Sequence, residues 1–60
     1  MIYYVTEYRN PKGKMIRYKT KTLTQYHTKV REQVPNARTI KYDTSIETPF
    51  GIWAEVISIN

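Results

Sequence analysis

Residues 8–15 read YRNPKGKM and residues 46–53 read IETPFGIW, so an x-Pro-x-Gly pattern occurs twice between segments that favour β-strands. Proline fixes φ at the second position of a tight turn, and glycine accepts the left-handed conformation that closes it. Each pattern therefore predicts a β-hairpin with a three-residue loop. The predicted strands are 2–9 paired with 14–21, and 38–47 paired with 52–59.

The turn geometry also predicts which residues face each other across the two hairpins. In the first hairpin, Asn10 opposite Lys14 places Glu7 opposite Arg17. The same rule in the second hairpin places Ile46 opposite Ala54, Ser45 opposite Glu55 and Asp43 opposite Ile57.

Residues 22–35, TLTQYHTKVREQVP, predict one helix between the hairpins. Thr22 with Gln25 three residues later fits a capping box, and Pro35 disfavours helix geometry at Val34, so the helix should end near Gln33. Its predicted buried stripe is Leu23, Tyr26, Val30 and Val34.

The element order ββαββ predicts an α+β fold in a single domain that spans residues 1–60. Two β-hairpins form a four-stranded antiparallel sheet, and the helix packs on one face of it. Strand orders 2-1-3-4 and 1-2-4-3 both remain compatible with a right-handed crossover.

Strand alternation divides the side chains of the predicted sheet between its two faces. The face toward the helix is predicted to carry Ile2, Tyr4, Tyr8, Ile16, Tyr18, Ile40, Tyr42, Ile46, Ala54 and Val56. The face that the helix leaves uncovered is predicted to carry Tyr3, Val5, Glu7, Arg9, Met15, Arg17, Lys19, Lys21, Lys41, Asp43, Glu47, Trp53, Glu55, Ile57 and Ile59. Apolar side chains among charges on a bare face are typical of an interaction surface.

A chain of 60 residues buries only about 60% of the surface that it exposes on unfolding, which limits its stability. Association with a partner subunit would add buried surface and so add stability. The sequence contains no cysteine, which excludes disulfides and fits a reducing cytoplasm. No apolar run approaches the ~20 residues of a membrane span, and the N-terminus lacks the pattern of a signal peptide. We therefore expect a cytoplasmic protein with no membrane contact.

Charge is distributed unevenly along the chain. Residues 1–31 carry eight basic side chains against Glu7 alone, a net of +7, whereas residues 32–60 carry a net of −2. This asymmetry favours a polyanionic partner for the first half. It is also compatible with two subunits that meet basic half to acidic half.

Two functional hypotheses follow from the uncovered face. In the first, the protein is a small basic nucleic-acid-binding module. Its phosphate contacts are Arg9, Arg17, Lys19 and Lys21, and its base-stacking side chains are Tyr3 and Trp53.

In the second hypothesis the same face binds protein. Either two copies of the chain form a homodimer, or the protein inhibits a larger host protein, as is common for small mobile-element products. The contact residues of this hypothesis are Val5, Met15, Trp53, Ile57 and Ile59. The acidic residues of the second hairpin favour this alternative, because they would repel phosphates. Those residues are Asp43, Glu47 and Glu55.

No arrangement of residues typical of catalysis is recognisable in the sequence. His27 has no nucleophile or carboxylate organised around it in sequence, so a structural or solvent-facing role is expected. A single histidine without cysteine predicts no metal site, and no phosphate-binding glycine loop or cofactor motif is present. We therefore predict a non-enzymatic protein without a cofactor.

Overall fold

The computed structural model describes residues 1–59, with side chains described through Ile57. Its elements are β1 (Ile2–Arg9), β2 (Met15–Thr20), α1 (Gln25–Gln33), β3 (Arg38–Thr48) and β4 (Gly51–Ile59). The four strands form one antiparallel sheet in the order β2-β1-β3-β4. The predicted α+β fold is confirmed, and the first of the two compatible strand orders is the one found.

The first hairpin has the predicted turn and register. Glu7 lies opposite Arg17, and the Gly13 N–H donates to the Asn10 carbonyl at 2.9 Å with φ of +84° at Gly13. The Asn10 side chain accepts hydrogen bonds from the N–H groups of Lys12 and Lys14 at 3.0 and 2.9 Å. Local chemistry thus closes this turn without help from the rest of the chain.

Replacing Gly13 with alanine is expected to lower the free energy of unfolding by about 1–2 kcal/mol, because a β-carbon disfavours the left-handed conformation. No atom lies within 4 Å of the position that the new methyl group would take, so the cost is conformational rather than steric. Urea denaturation measures it, with the neighbouring Lys12→Ala as the control. Equal stability of Gly13→Ala and Lys12→Ala would show that the turn does not need glycine.

The second hairpin has a shorter loop and a different register from the prediction. Thr48 pairs with Gly51, which leaves only Pro49 and Phe50 in the loop. The Thr48 hydroxyl donates to the Gly51 carbonyl at 2.9 Å and accepts from the Phe50 N–H at 3.2 Å. One side chain therefore satisfies the turn, and a third loop residue is not required.

An irregularity in β3 accounts for the rest of the register error. Asp43 pairs with Trp53, whereas Glu47 pairs with Ile52, so residues 44–46 bulge out of the ladder. The Asp43 carboxylate accepts from the N–H and the hydroxyl of Ser45 at 2.9 and 2.6 Å. Such local bonds compete with strand pairing. The predicted Ile46–Ala54, Ser45–Glu55 and Asp43–Ile57 pairs are wrong.

The helix ends where predicted but begins later and turns a different side chain inward. Its N-cap is Thr24, which makes no capping hydrogen bond through its side chain, rather than Thr22. Val30 is buried as expected, but Leu23 and Tyr26 are half exposed. His27 is instead completely buried against the sheet, while the half-exposed Tyr26 ring still contacts Tyr18 of β2 with 4.3 Å between ring centroids.

A hydrogen-bonded polar cluster, defined here as Thr6, Thr20, His27, Arg31 and Thr39, forms the centre of the contact between helix and sheet. Thr6 Oγ1 lies 2.5 Å from His27 Nδ1 and 2.7 Å from Thr39 Oγ1, while Thr20 Oγ1 lies 2.6 Å from His27 Nε2. Arg31 Nη1 donates to Thr39. Thr6, His27 and Thr39 are the largest fully buried side chains among the described residues.

The partners in this polar cluster determine the direction of every hydrogen bond. Thr20 donates its hydroxyl proton to the Thr22 carbonyl at 2.6 Å, so it must accept from Nε2–H of His27. Nδ1 is then the acceptor of the neutral ring and receives the Thr6 proton. Thr6 in turn accepts from Thr39. The chain of donors therefore runs one way and fixes the neutral Nε2–H tautomer of the imidazole.

The polar cluster also sets which face of β3 lies under the helix. Thr39 pairs with Thr6 and therefore shares its face, and Ala37, two residues before Thr39, is completely buried. Asn36 secures this entry by exchanging two hydrogen bonds of 3.1 Å with the backbone of Arg9. Alternation from Thr39 then reverses the faces predicted for the second hairpin. Ile40, Tyr42, Ala54 and Val56 point away from the helix, whereas Lys41, Asp43, Trp53 and Glu55 lie on its side.

Candidate functional site

The sheet face opposite α1, called the open face from here on, is the candidate functional surface. It is defined by the side chains that strand register places there: Tyr3, Val5, Glu7, Arg9, Met15, Arg17, Lys19, Arg38, Ile40, Tyr42, Ala54 and Val56. The helix bonds to the other side of the sheet, so this face is not covered by it.

Glu7 lies between two arginines at one end of the open face and forms an ion pair with each of them. Arg17 donates from Nε to Glu7 Oε2 at 3.0 Å, and Arg38 donates from Nε to Oε1 at 2.8 Å, with its Nη2 2.7 Å from the same oxygen. The carboxylate is buried, but the arginine side chains remain 65% and 49% exposed. The three residues present a net positive charge to solvent.

The environment of Glu7 keeps this arrangement charged. Burial by itself would raise the pKa of the Glu7 carboxyl, but the hydrogen bonds and charges of Arg38 and Arg17 outweigh it and hold the pKa below its ordinary value. The carboxylate therefore remains ionised through the neutral range, and both guanidinium groups stay oriented on the surface.

An aromatic stack occupies the other end of the open face. The rings of Tyr3 and Tyr42 are nearly parallel, with centroids 5.0 Å apart and an interplanar angle of 14°. Lys19 places its Nζ 4.3 Å from the Tyr3 ring centroid. Because Lys19 comes from β2 and Tyr42 from β3, they approach the Tyr3 ring from opposite sides. Val5 and Ile40 lie between this stack and the arginines and are themselves buried.

Several predicted site residues are brought together on this face. They are Tyr3, Val5, Arg9, Met15, Arg17 and Lys19. Lys21 follows the end of β2 in the bend that leads to the helix, outside the paired strands that define this face.

The predicted position of Trp53 on the uncovered face is wrong. It pairs with Asp43, which pairs with Ile2, and this row lies on the helix side of the sheet. Ile57 lies at the irregularity between the Ile40–Val56 and Thr39–Ser58 pairs, so alternation no longer assigns it to the open face. The side chain of Ile59 lies outside the described residues.

Two of the three acidic residues predicted for the uncovered face of the second hairpin lie on the other side of the sheet. The third, Glu47, pairs with Ile52, which neighbours Trp53 along β4 and so alternates to the open-face side beyond the β3 bulge. Asp43 and Glu55 are on the helix side, and Glu55 pairs across the strands with Lys41. The Ser45 side chain and then its backbone N–H, both donating to the carboxylate, lower the pKa of Asp43. Glu7 is thus the one acid that register places on the open face within β1, β2 and residues 38–43 and 53–56.

Sequence reasoning missed Arg38 and Tyr42 as members of the candidate site. Both were one residue out of phase in the predicted alternation of β3. A usable signal was present, because Thr6 and Thr39 are polar residues that can satisfy each other when buried under a helix. Aligning those two threonines would have placed Arg38 next to Glu7 and Tyr42 next to Tyr3.

Comparison with known proteins finds no matching protein-family model, no matching curated protein and no matching solved structure. Among the described residues, no helix is long and apolar enough to cross a membrane. Functional inference therefore depends on the geometry of the open face.

Proposed function

We propose that this protein is a non-enzymatic module that binds single-stranded nucleic acid through the open face. The observation that carries the proposal is the separation of charge across the sheet. Arg9, Arg17, Lys19 and Arg38 lie on the open face, where the acid beside them, Glu7, is buried and paired twice. Apart from Glu7, register places no carboxylate beside these cations within β1, β2 and residues 38–43 and 53–56, and Glu47 lies beyond the β3 bulge at the far end of the sheet. Phosphates approaching this end of the face therefore meet cations.

The basic side chains are spaced to follow a phosphate backbone. Arg17 and Lys19 are two residues apart on β2, which separates their Cα atoms by about 6.8 Å along the strand. Arg38 lies two strands away in the same row as Arg17. Glu7 fixes Arg17 and Arg38 through their Nε atoms, so little side-chain entropy remains to be lost when they bind phosphate.

The tyrosine stack supports a single-stranded ligand over a duplex. One side of the Tyr3 ring meets Lys19 and the other meets Tyr42, whereas the neighbour of Tyr42 on β4 is the small residue Ala54. An unstacked base fits over Tyr42 above Ala54. Aromatic rings stack on bases that are free of a helix, a contribution of about 1–3 kcal/mol per base.

The double variant Arg17→Gln/Lys19→Gln tests the proposal. It is expected to weaken binding to a labelled oligothymidylate of about 20 nucleotides by about tenfold or more at low salt. The dependence of log K on log salt should also flatten by about 1.4, since each single-strand phosphate contact contributes about 0.7. Fluorescence anisotropy across a salt titration measures both quantities, and a duplex of equal length should bind more weakly.

The matched control is Lys12→Gln/Lys29→Gln, which makes the same change in net charge away from the open face, in the first turn and on the exposed side of the helix. It should leave the affinity within about threefold of the original protein. Absence of detectable binding by the unmodified protein at about 50 mM salt would overturn the proposal. An equal loss in the control variant would show that binding is not localised on this face.

The alternative of a protein contact on this same face has less support. It depended on Trp53, Ile57 and Ile59, of which Trp53 lies on the helix side and Ile57 lies in the irregular part of β4. Of the two predicted contact residues that do lie on the open face, Val5 is buried within the sheet and Met15 is 37% exposed. A larger group of exposed apolar side chains lies along β4, at Ile52, Val56 and Ile57.

A further inference from the structure

The two edges of the sheet differ sharply in chemistry. The β2 edge is six residues long and carries Arg17 and Lys19. Charged side chains on a short edge strand discourage pairing with other chains. The β4 edge is nine residues long, reads GIWAEVISI, and carries Glu55 as its only charge. One edge thus has the usual protection against association, and the other lacks it.

Strand β4 also has the groups that a further strand would pair with. Within residues 1–59 it is hydrogen-bonded to β3 alone, so the backbone groups along its outer side face away from the sheet. Ile52, Val56 and Ile57 are exposed beside them. A long apolar edge of this kind is a template for an additional strand.

We propose that β4 pairs antiparallel with β4 of a second copy of this chain, so that two sheets join into one of eight strands. In a dimer with a twofold axis, the backbone groups of each β4 edge are the hydrogen-bond partners of the other edge. Such isologous dimers are the commonest oligomers. The occupant is a second copy because the edge is almost uncharged and its one charge, Glu55, lies opposite Lys41 of β3, so no charged partner is required. A chain of this size also gains most from added buried surface.

Charge and the irregularity of β4 at Ile57 select the register of the dimer. With Ala54 opposite the partner's Ala54, Ile52 faces the partner's Val56, and Trp53 faces the partner's Glu55. A register centred on Glu55 would instead place like charges directly opposite each other, which is destabilising. The selected pairing runs from Gly51 to Ile57 and stops at the irregularity of β4.

This dimer would leave the nucleic-acid surface free. The twofold axis of an antiparallel strand pair is perpendicular to the sheet, so at the junction both open faces lie on the same side and both helices on the other. The dimer therefore does not depend on nucleic-acid binding, and it can be measured without any nucleic acid present.

Sedimentation equilibrium of the full chain from about 10 μM to about 1 mM should show a reversible species of twice the mass of one chain. Val56→Lys should raise the dimer dissociation constant by at least about tenfold, because a lysine at an edge strand opposes pairing. Ile46→Lys is the matched control, since Ile46 is 45% exposed against 44% for Val56 but lies in the β3 bulge. A monomer at about 1 mM, or an equal effect of Ile46→Lys, would overturn the proposal.

A crosslink tests the register independently of any loss of stability in Val56→Lys. The chain has no cysteine, so Ala54→Cys introduces a single thiol. Directly opposed residues have Cα atoms about 4.5–5.5 Å apart, within the range that a disulfide spans. Mild oxidation should convert Ala54→Cys to a covalent dimer much faster than Ser45→Cys, an exposed position in the β3 bulge. Equal rates for the two variants would contradict the proposed pairing.

Discussion

Replacing His27 with alanine is expected to lower the free energy of unfolding by about 3–5 kcal/mol. His27 is completely buried and bonds through Nδ1 to Thr6 and through Nε2 to Thr20. Its removal leaves a cavity and takes a partner from each of two threonine hydroxyls. A domain of this length has a total stability of about 3–9 kcal/mol, so the substitution should remove a third or more of it and lower the melting temperature markedly.

Thermal and urea denaturation followed by circular dichroism measure this effect. Lys29→Ala is the matched control, because Lys29 lies two residues later on the same helix with its side chain exposed. It should change stability by less than about 0.5 kcal/mol. A loss below about 1 kcal/mol in His27→Ala would show that the polar cluster does not hold the helix on the sheet.

The parts of the fold that depend on local chemistry could be predicted from sequence. The first turn closes through Asn10 and Gly13, and the helix stops before Pro35, so both were predictable from residues close in sequence. The second hairpin also depends on hydrogen bonds between residues close in sequence, but two sets of these bonds compete with the predicted strand pairing. The Thr48 hydroxyl shortens the loop, and the Asp43–Ser45 bonds create a bulge, which together change the pairing in β3.

The candidate site was only partly predictable, because one of its halves depends on a contact between distant residues. Arg17 and Lys19 follow from the first hairpin alone. Arg38 and Tyr42 depend on the phase of β3, which is set by Thr39 pairing with Thr6 under the helix. A rule that places apolar residues inward chose Ile40 and Tyr42 instead, because it does not anticipate a core made of satisfied polar groups.

The resulting arrangement explains why a basic face is compatible with so small a core. Helix and sheet are joined by directed hydrogen bonds, so the apolar side chains Val5 and Ile40 are free to lie on the opposite side of the sheet. There they are buried beneath the side chains around them, between the paired arginines and the tyrosine stack. Both faces of the sheet thus contribute to stability, and the open face gains a rigid base for its cations.

Lowering the pH is expected to destabilise the protein over the range in which His27 is protonated in the unfolded chain but still neutral in the folded protein. Burial, together with the charge of Arg31, lowers the pKa of the His27 imidazole below its ordinary value of 6.5. Protonation would place a second donor on Nδ1, reverse the Thr6 hydroxyl, and leave the Thr39 proton without its acceptor in the polar cluster. The folded state therefore resists taking up the proton that the unfolded chain accepts readily.

The free energy of unfolding should accordingly be at its full value above about pH 7 and fall as the pH drops below about 6.5 toward the folded-state pKa. One proton taken up on unfolding gives a slope of up to about 1.4 kcal/mol per pH unit. The low pKa of Glu7 places its own contribution at more acidic pH, below the ordinary value of 4.5, so the two effects separate.

Urea denaturation at several pH values measures the slope. Because the chain has one histidine, a proton NMR titration reports His27 directly. An imidazole titrating at or above about 6.5 in the folded protein, or stability constant between about pH 7 and pH 5, would contradict the neutral ring in the polar cluster.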